Sequence, residues 1–108
     1  MLIVTTERVP NYEVKEVIGP VFGLTVRARG LGKDIMAAFK GLVGGEITQY
    51  TEMLEDARKQ AMDRMVKNAQ AMGANAIVMV RFDSGEAGNN MTEIVAYGTA
   101  VVVEKVKA

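Results

Sequence analysis

The chain has 108 residues, the size of one ordinary domain, and its 13 Lys and Arg balance its 13 Asp and Glu, so no overall field draws it to nucleic acid or to an anionic membrane. It contains neither Cys nor His, which excludes disulfides, thiolate nucleophiles, the Ser/His/Asp triad and the commonest zinc and copper sites. No window reaches the roughly 18 apolar residues of a membrane span and no signal-like N-terminus is present, so we expect a cytoplasmic protein with a single domain over residues 1–108.

The first quarter of the chain favours β-structure. Residues 2–6 form a short β-prone segment, and a proline soon after it predicts a short or edge strand, because proline cannot donate to a ladder. Residues 12–27 alternate with a period close to two, which predicts one long strand. The Gly19-Pro20 pair indicates a kink or bulge within it. Gly23 indicates either another bulge or the close approach of a second backbone.

A glycine-rich stretch separates this strand from a long helix. Residues 29–34 are a basic connector, and residues 35–40 have the apolar spacing and alanine content of a short helix. Glycines at positions 41, 44 and 45 then break the pattern. A second helix is predicted to begin at Glu46.

This second helix is the most strongly patterned segment of the chain. Its apolar residues recur at steps of three and four, which places them on one stripe that faces a core. They are Leu54, Ala57, Ala61, Met65, Ala69 and Met72. Gly73 follows the last of them, so we predict the left-handed glycine that commonly ends a helix. A helix of about 20 to 25 residues is too long for one small sheet to cover, which predicts self-assembly.

The remainder of the chain predicts two strands. Residues 76–82 are rich in β-branched residues on both alternating faces, which favours a central strand that is buried on two sides. Residues 83–90 are polar and residues 92–104 are again β-prone, which predicts a hairpin with an eight-residue loop. The element order gives an α+β class, with a small antiparallel or mixed sheet packed in two layers against the long helix.

Short motifs spread over the whole chain resemble one known family. They are GPVFG at 19–23, RARGLGKD at 27–34, GGE at 44–46, YT at 50–51, AR at 57–58, GANA at 73–76, RFD at 81–83 and AYGTA at 96–100. Together they resemble the YbjQ-like family of small prokaryotic proteins, whose activity is uncharacterised. The resemblance implies a dodecin-like subunit fold that assembles as a ring of five, a homopentamer. It also brings a heavy-metal-binding description that names no established activity.

Metal binding is therefore the first chemistry to weigh. Without Cys and His, only carboxylates, carbonyls and methionine sulfur remain as ligands, which favours hard cations or at most Cu(I). Four methionines occupy or flank the helix stripe, where a core or interface role is commoner than a thioether site. They are Met53, Met62, Met65 and Met72. We predict no metal site among them.

Calcium or magnesium could in principle use the polar segment between the last two strands. Its oxygen ligands would be Asp83, Glu86, Asn89 and Asn90. Their spacing is not that of an EF-hand loop, which favours a solvated hairpin loop. We therefore predict neither a metal nor a cofactor.

Arg27, Arg29 and Lys33 form the one predicted ligand site, for an anion. The two arginines share a strand face, the intervening glycines let the backbone approach a ligand, and Lys33 comes at a helix start whose free N–H groups are partly positive. The alternative is that these cations pair with Asp34, with Glu46 or with acids of a neighbouring subunit.

Glu46, Tyr50 and Tyr97 are further candidates, as polar residues of an interface or a pocket, because a tyrosine in an apolar setting needs a hydroxyl partner. No catalytic residue is predicted. The predicted function is a non-enzymatic oligomeric ring that binds a small ligand, with an anion as the candidate, or a partner protein. Two alternatives stay open: metal binding, and an enzyme whose site is completed between subunits. Residues 2–6 and 21–26 are predicted to lie near subunit contacts.

Overall fold

The computed structural model describes residues 1–28, 48–88 and 90–107. Over these ranges the chain forms β1 (Leu2–Ile3), β2 (Tyr12–Ala28), α1 (Thr48–Ala71), β3 (Ala76–Glu86) and β4 (Met91–Lys105). The strands make one mixed sheet in the order β1-β3-β4-β2, with β1 parallel to β3 and the other pairs antiparallel. The α+β class is therefore confirmed. The predicted short helix at 35–40 and the helix start at Glu46 lie outside the described residues.

Strands β2 and β4 form a long ribbon that sets the shape of the molecule. β2 has 17 residues and pairs with β4 along its length. At about 3.3 Å per residue such a strand is about 56 Å long, close to the longest dimension of 58 Å. A register shift between Val17 and Gly19 confirms the predicted irregularity at the Gly-Pro pair. A second shift, between Val14 and Glu16, was not predicted.

Helix α1 lies across β2 and comes closest to it at Gly23. A Cβ built at Gly23 would overlap the carbonyl oxygen of Ala61 and the amide nitrogen of Met65, so the predicted close approach of two backbones is confirmed. The buried residues of the helix are Ala57, Ala61, Met65 and Ala69, and Leu54 packs against them partly buried. They meet Val21, Ile77, Val80, Ile94, Ala96 and Ala100 of the sheet. Small side chains on the helix allow the two layers to pack this closely.

The helix ends in the predicted glycine turn. Gly73 has φ of 90°. The N–H of Ala74 donates to the carbonyl of Ala69 and the N–H of Gly73 donates to the carbonyl of Gln70, each at 3.0 Å, which is the Schellman pattern. Met72 was predicted to be the last core residue of the stripe. That prediction is wrong, because the chain already turns there and Met72 is 40% exposed.

The side chain of Asn75 ties the end of this turn to β4. Its Nδ2 donates to the carbonyl of Val103 at 2.9 Å, and its Oδ1 accepts from the N–H of Val103 at 2.8 Å. This reciprocal pair copies the two hydrogen bonds between facing residues of an antiparallel ladder. The GANA motif at 73–76 therefore has a structural explanation.

Strand β3 is central, as predicted, and both of its faces are covered at its start. Ile77 lies in the core beneath α1. Ala76 and Val78 pack on the other side with Val101 and Val103, beneath the N-terminal segment. Burial on two sides explains why this segment lacks the alternation of a half-exposed strand.

The predicted eight-residue hairpin loop is wrong. β3 continues to Glu86 and β4 begins at Met91, so four positions and not eight separate the two strands. Asp83 faces Val95 in the ladder, and Glu86 faces Thr92. Residues 83–86 are exposed, so polar side chains are tolerated there while their backbone stays paired.

Candidate functional site

A row of exposed apolar side chains lies on the sheet face opposite α1. Side chains alternate along a strand, and Val21 and Thr25 are buried beneath the helix. The intervening Phe22, Leu24 and Val26 therefore point to the other face, where they are 62%, 40% and 46% exposed. A contiguous apolar patch of this kind is a candidate interaction site.

Strand β4 widens this row. Tyr97 lies directly opposite Phe22, and Val95 lies opposite Leu24. We call Phe22, Leu24, Val26, Val95 and Tyr97 the outer face. Tyr97 is 44% exposed. An aromatic side chain has about 150 to 250 Å² of surface that can be buried. At these exposed fractions, Phe22 and Tyr97 together leave roughly 200 Å² of side-chain surface in contact with water.

The outer face has a charged border on one side and a strand edge on the other. In β3, Arg81 pairs with Tyr97 and Asp83 pairs with Val95, which places a cation and a carboxylate beside the apolar row. On the other side β2 is the last strand of the sheet. An apolar centre with a charged rim is the arrangement found at protein interfaces.

At the edge of β2, two side chains of α1 reach over the strand. Nη1 of Arg64 donates to the carbonyl of Leu24 at 2.6 Å, and Nδ2 of Asn68 donates to the carbonyl of Phe22 at 2.8 Å. Lys67 lines the same shallow groove. Sequence reasoning missed Arg64 and Asn68, because their role depends on how α1 crosses β2. The one available signal was the glycine at position 23.

Arg27, the first predicted anion ligand, is bound to groups of α1. Its Nη2 donates to Oδ2 of Asp56 at 2.8 Å and to Oε1 of Gln60 at 2.9 Å. The sequence left open that Arg27 pairs with an acidic residue, but the acids considered were Asp34, Glu46 and those of a neighbouring subunit, and not Asp56. Arg29, Lys33, Asp34 and Glu46 lie outside the described residues. The anion site as a whole therefore stays a prediction.

The two candidate tyrosines lie on opposite sides of the sheet. Tyr50 is half-buried in the first turn of α1, whereas Tyr97 belongs to the outer face. The structure does not bring them together in one pocket. Tyr97 instead joins Phe22 as one of two aromatic residues that an interface could bury.

Thr25 is an unusual polar residue of the core. It is 2% exposed, and its Oγ1 has no hydrogen-bond partner among the described residues. A buried hydroxyl without a partner costs about 1 to 3 kcal/mol. Thr25 and Arg27 are two positions apart on β2, so their side chains share the strand face that α1 covers. The polar groups beneath the helix therefore lie near the C-terminal end of β2.

A separate ion pair lies near the start of β2. Nζ of Lys15 is 2.7 Å from Oε1 of Glu13, and this hydrogen bond, with the charge of Glu13, raises the pKa of Lys15. Both side chains are exposed. The pair therefore contributes little to stability and lies at the far end of the strand from Arg27.

The described part of the chain offers few metal ligands in one place. It contains no group of three or more Asp or Glu side chains that could hold a cation. Asp83 and Glu86 lie in the paired ribbon and not in a loop, and Asn89 lies outside the described residues. Met65 is fully buried and Met62 packs against the core, which confirms the predicted core role of these two methionines.

Over the described residues, the fold and this surface define a small two-layer α+β protein with one exposed apolar sheet face. Residues 1–104 match the family model YbjQ, described as "Putative heavy-metal-binding", so the chain belongs to that family and the resemblance of its motifs is confirmed. No helix in the described part of the chain is long and apolar enough to cross a membrane.

Relatives from distant organisms share most of the sequence. A UPF0145 protein from Bradyrhizobium is 57% identical over 104 residues, covering 96% of this chain and 94% of the relative. Another from Sulfurisphaera tokodaii is 57% identical over 105 residues, covering 97% and 92%. The crystal structure of a protein of unknown function from Pediococcus pentosaceus, assigned to the DUF74 family, has a TM-score of 0.65 over 96% of this chain and 98% of its own. At 15% identity that likeness concerns the fold alone.

Proposed function

We propose that the protein is a non-enzymatic binding protein that works as a closed ring of its own copies, five in number as the family resemblance implies. The observation that supports the assembly is the outer face, with Phe22 opposite Tyr97 and both largely exposed. A second copy is the occupant we assign to this face.

The shape of the chain supports assembly independently. Its radius of gyration is 17.7 Å, whereas a compact domain of this length has about 13 Å. A standard interface covers about 800 Å² on each partner, and an elongated subunit has room for more than one patch of that size. A ring subunit needs two such patches, one for each neighbour.

The bound ligand is proposed to be a small anion. In a ring, Arg27 recurs once per subunit together with Asp56, which offsets its charge, so the local positive potential rises only where an anion takes the place of Asp56. Its side chain remains 31% exposed while it contacts Asp56. An anion at Arg27 therefore shares the guanidinium with Asp56 or displaces it.

The heavy-metal description of the family does not fit the donors of this chain. Soft and borderline metals prefer thiolate and imidazole ligands, and the sequence contains neither Cys nor His. The remaining soft donors are methionines, of which Met65 is enclosed in the core. We therefore derive no function through a heavy metal.

The assembly is tested by removing the exposed aromatic surface. Burying roughly 200 Å² stabilises an interface by at most about 5 kcal/mol per subunit, at about 25 cal/mol per Å². The double variant Phe22→Ser and Tyr97→Ser should therefore weaken association by up to roughly four-thousandfold. Val106→Ser is the matched control, because Val106 is also exposed, at 51%, and lies outside the outer face.

Sedimentation velocity and native mass spectrometry at micromolar concentration give the outcome. The wild-type chain and the Val106 variant should be oligomers of one size, and the double variant should dissociate while keeping its far-ultraviolet circular dichroism. A monomeric wild-type chain, or a double variant of unchanged mass, contradicts the proposal.

A further inference from the structure

The outer edge of β2 is a strong site for adding a strand. Among the described residues β2 is the last strand of the sheet; it has 17 residues, and its exposed side chains Phe22, Leu24 and Val26 are apolar. A long edge of this kind offers its unpaired main-chain groups to any other strand and leads to uncontrolled pairing. Natural proteins protect such edges against added strands.

The main-chain groups of alternate residues point to the same side of a strand. Phe22 and Leu24 direct their carbonyls to the outer edge, where Asn68 donates to the first at 2.8 Å and Arg64 donates to the second at 2.6 Å. These are the acceptors that an incoming strand would use. Two consecutive acceptors of the edge are therefore already occupied by side chains of α1.

Pro20 protects the edge at the next position. It belongs to the same alternate set as Phe22 and Leu24, and a proline has no N–H to offer to an added strand. Beyond it, the register shifts between Val17 and Gly19 and between Val14 and Glu16 twist the strand out of a regular ladder. The chain thus uses different means of protection at successive positions of one edge.

We infer that Arg64 and Asn68 close the β2 edge against strand addition, so that another copy of the chain engages the sheet through its outer face and not by extending the ladder. Engagement through the outer face rests on the proposed function, whereas closure of the β2 edge does not. The role of the edge is to exclude partners and that of the face is to bind them. Such a division favours a closed assembly, because a second contact through the strand edge would link one assembly to another.

The test is to open the edge without disturbing the helix. Arg64→Ala and Asn68→Ala are exposed helix positions, and alanine is the best helix former, so the double variant should keep its fold. Lys67→Ala is the matched control, since Lys67 lines the same groove and loses the same charge as Arg64. Arg64→Ala and Asn68→Ala are also measured as single variants, so that the edge can still be tested if the double variant does not fold.

Sedimentation velocity over a wide range of protein concentration gives the readout, with electron microscopy of the largest species. The double variant should grow with concentration to roughly twice the wild-type mass or more, because each opened β2 edge can pair with the β2 edge of another assembly, and each single variant should show a smaller growth. The Lys67 variant should match the wild type. Equal masses for the wild type and the Arg64 and Asn68 variants, or equal growth in the Lys67 variant, overturn the inference. A monomeric wild type would refute the proposed ring but leave this comparison valid.

Discussion

Replacing Gly23 by alanine is the sharpest test of how the two layers meet. The added Cβ would overlap the carbonyl oxygen of Ala61 and the amide nitrogen of Met65. Both are backbone atoms of a helix, so neither can move aside as the tip of a flexible side chain could. The whole helix must therefore shift away from β2, by roughly 1 Å if normal contact distances are to be restored.

Such a shift weakens the packing of the whole core face of α1. Its four buried residues, Ala57, Ala61, Met65 and Ala69, have at most 1% of their surface exposed, so a gap of 0.5 to 1 Å forfeits about a quarter to a half of each contact. Overpacking of this type costs about 1 to 3 kcal/mol, and a clash between backbones belongs at the upper end. Alanine restricts the unfolded chain and returns only about 0.4 to 1 kcal/mol. We expect a net loss of about 2 kcal/mol.

Urea unfolding followed by far-ultraviolet circular dichroism measures this loss, at one fixed protein concentration because assembly adds to apparent stability. A loss of this size should also lower the melting temperature by roughly 8 to 16 °C. Gly85→Ala is the control: it lies in a strand too, and a Cβ there meets nothing within 4 Å, so it should change stability by less than about 0.5 kcal/mol. If both variants unfold at the same urea concentration, the helix does not approach β2 as described.

Four further variants test three separate features. Gly73→Val places a β-branched residue at φ of 90°, and it should cost about 1 kcal/mol or more in urea unfolding; a cost of a few tenths would refute the glycine turn. Thr25→Val removes the unpartnered buried hydroxyl and should be neutral or stabilising by about 1 kcal/mol, whereas a clear destabilisation would reveal a partner for the hydroxyl in solution. Asp56→Asn frees Arg27 and should strengthen stabilisation by phosphate, sulfate or a nucleotide in thermal melts, where a ligand at 100 times its dissociation constant adds about 2.7 kcal/mol. Arg27→Ala should abolish that response, and no stabilisation in any variant would remove the anion site.

The sequence predicted those elements whose physics is local. The spacing of Ala57, Ala61, Met65 and Ala69 identified a core-facing helix because one stripe of a helix must meet the sheet. Gly73 identified the helix end because few other residues adopt its conformation. The run from Ala76 identified a central strand because burial on two faces removes alternation.

Two predictions were wrong because neither side-chain polarity nor helical spacing shows which backbone groups are hydrogen-bonded. Residues 83–86 were interpreted as loop because they are polar, yet they continue β3 at the exposed end of the ribbon. Met72 was assigned to the core because the helical period reaches it. The period cannot tell that the Schellman turn has already begun, since that depends on hydrogen bonds to Ala69 and Gln70.

The features that bear on function are set by long-range contacts, and this is why local patterns did not reveal them. Arg27 and Asp56 are 29 positions apart, and Asn68 and the carbonyl of Phe22 are 46 apart; each pair exists only because α1 runs back along β2 after the intervening chain. Gly23 determines how near that helix can come, and so whether the Asn68 amide can reach the strand edge at all. A helix pushed outward by a larger residue at position 23 would therefore lose core packing and edge protection together, and the Gly23→Ala variant should show increased self-association as well as reduced stability.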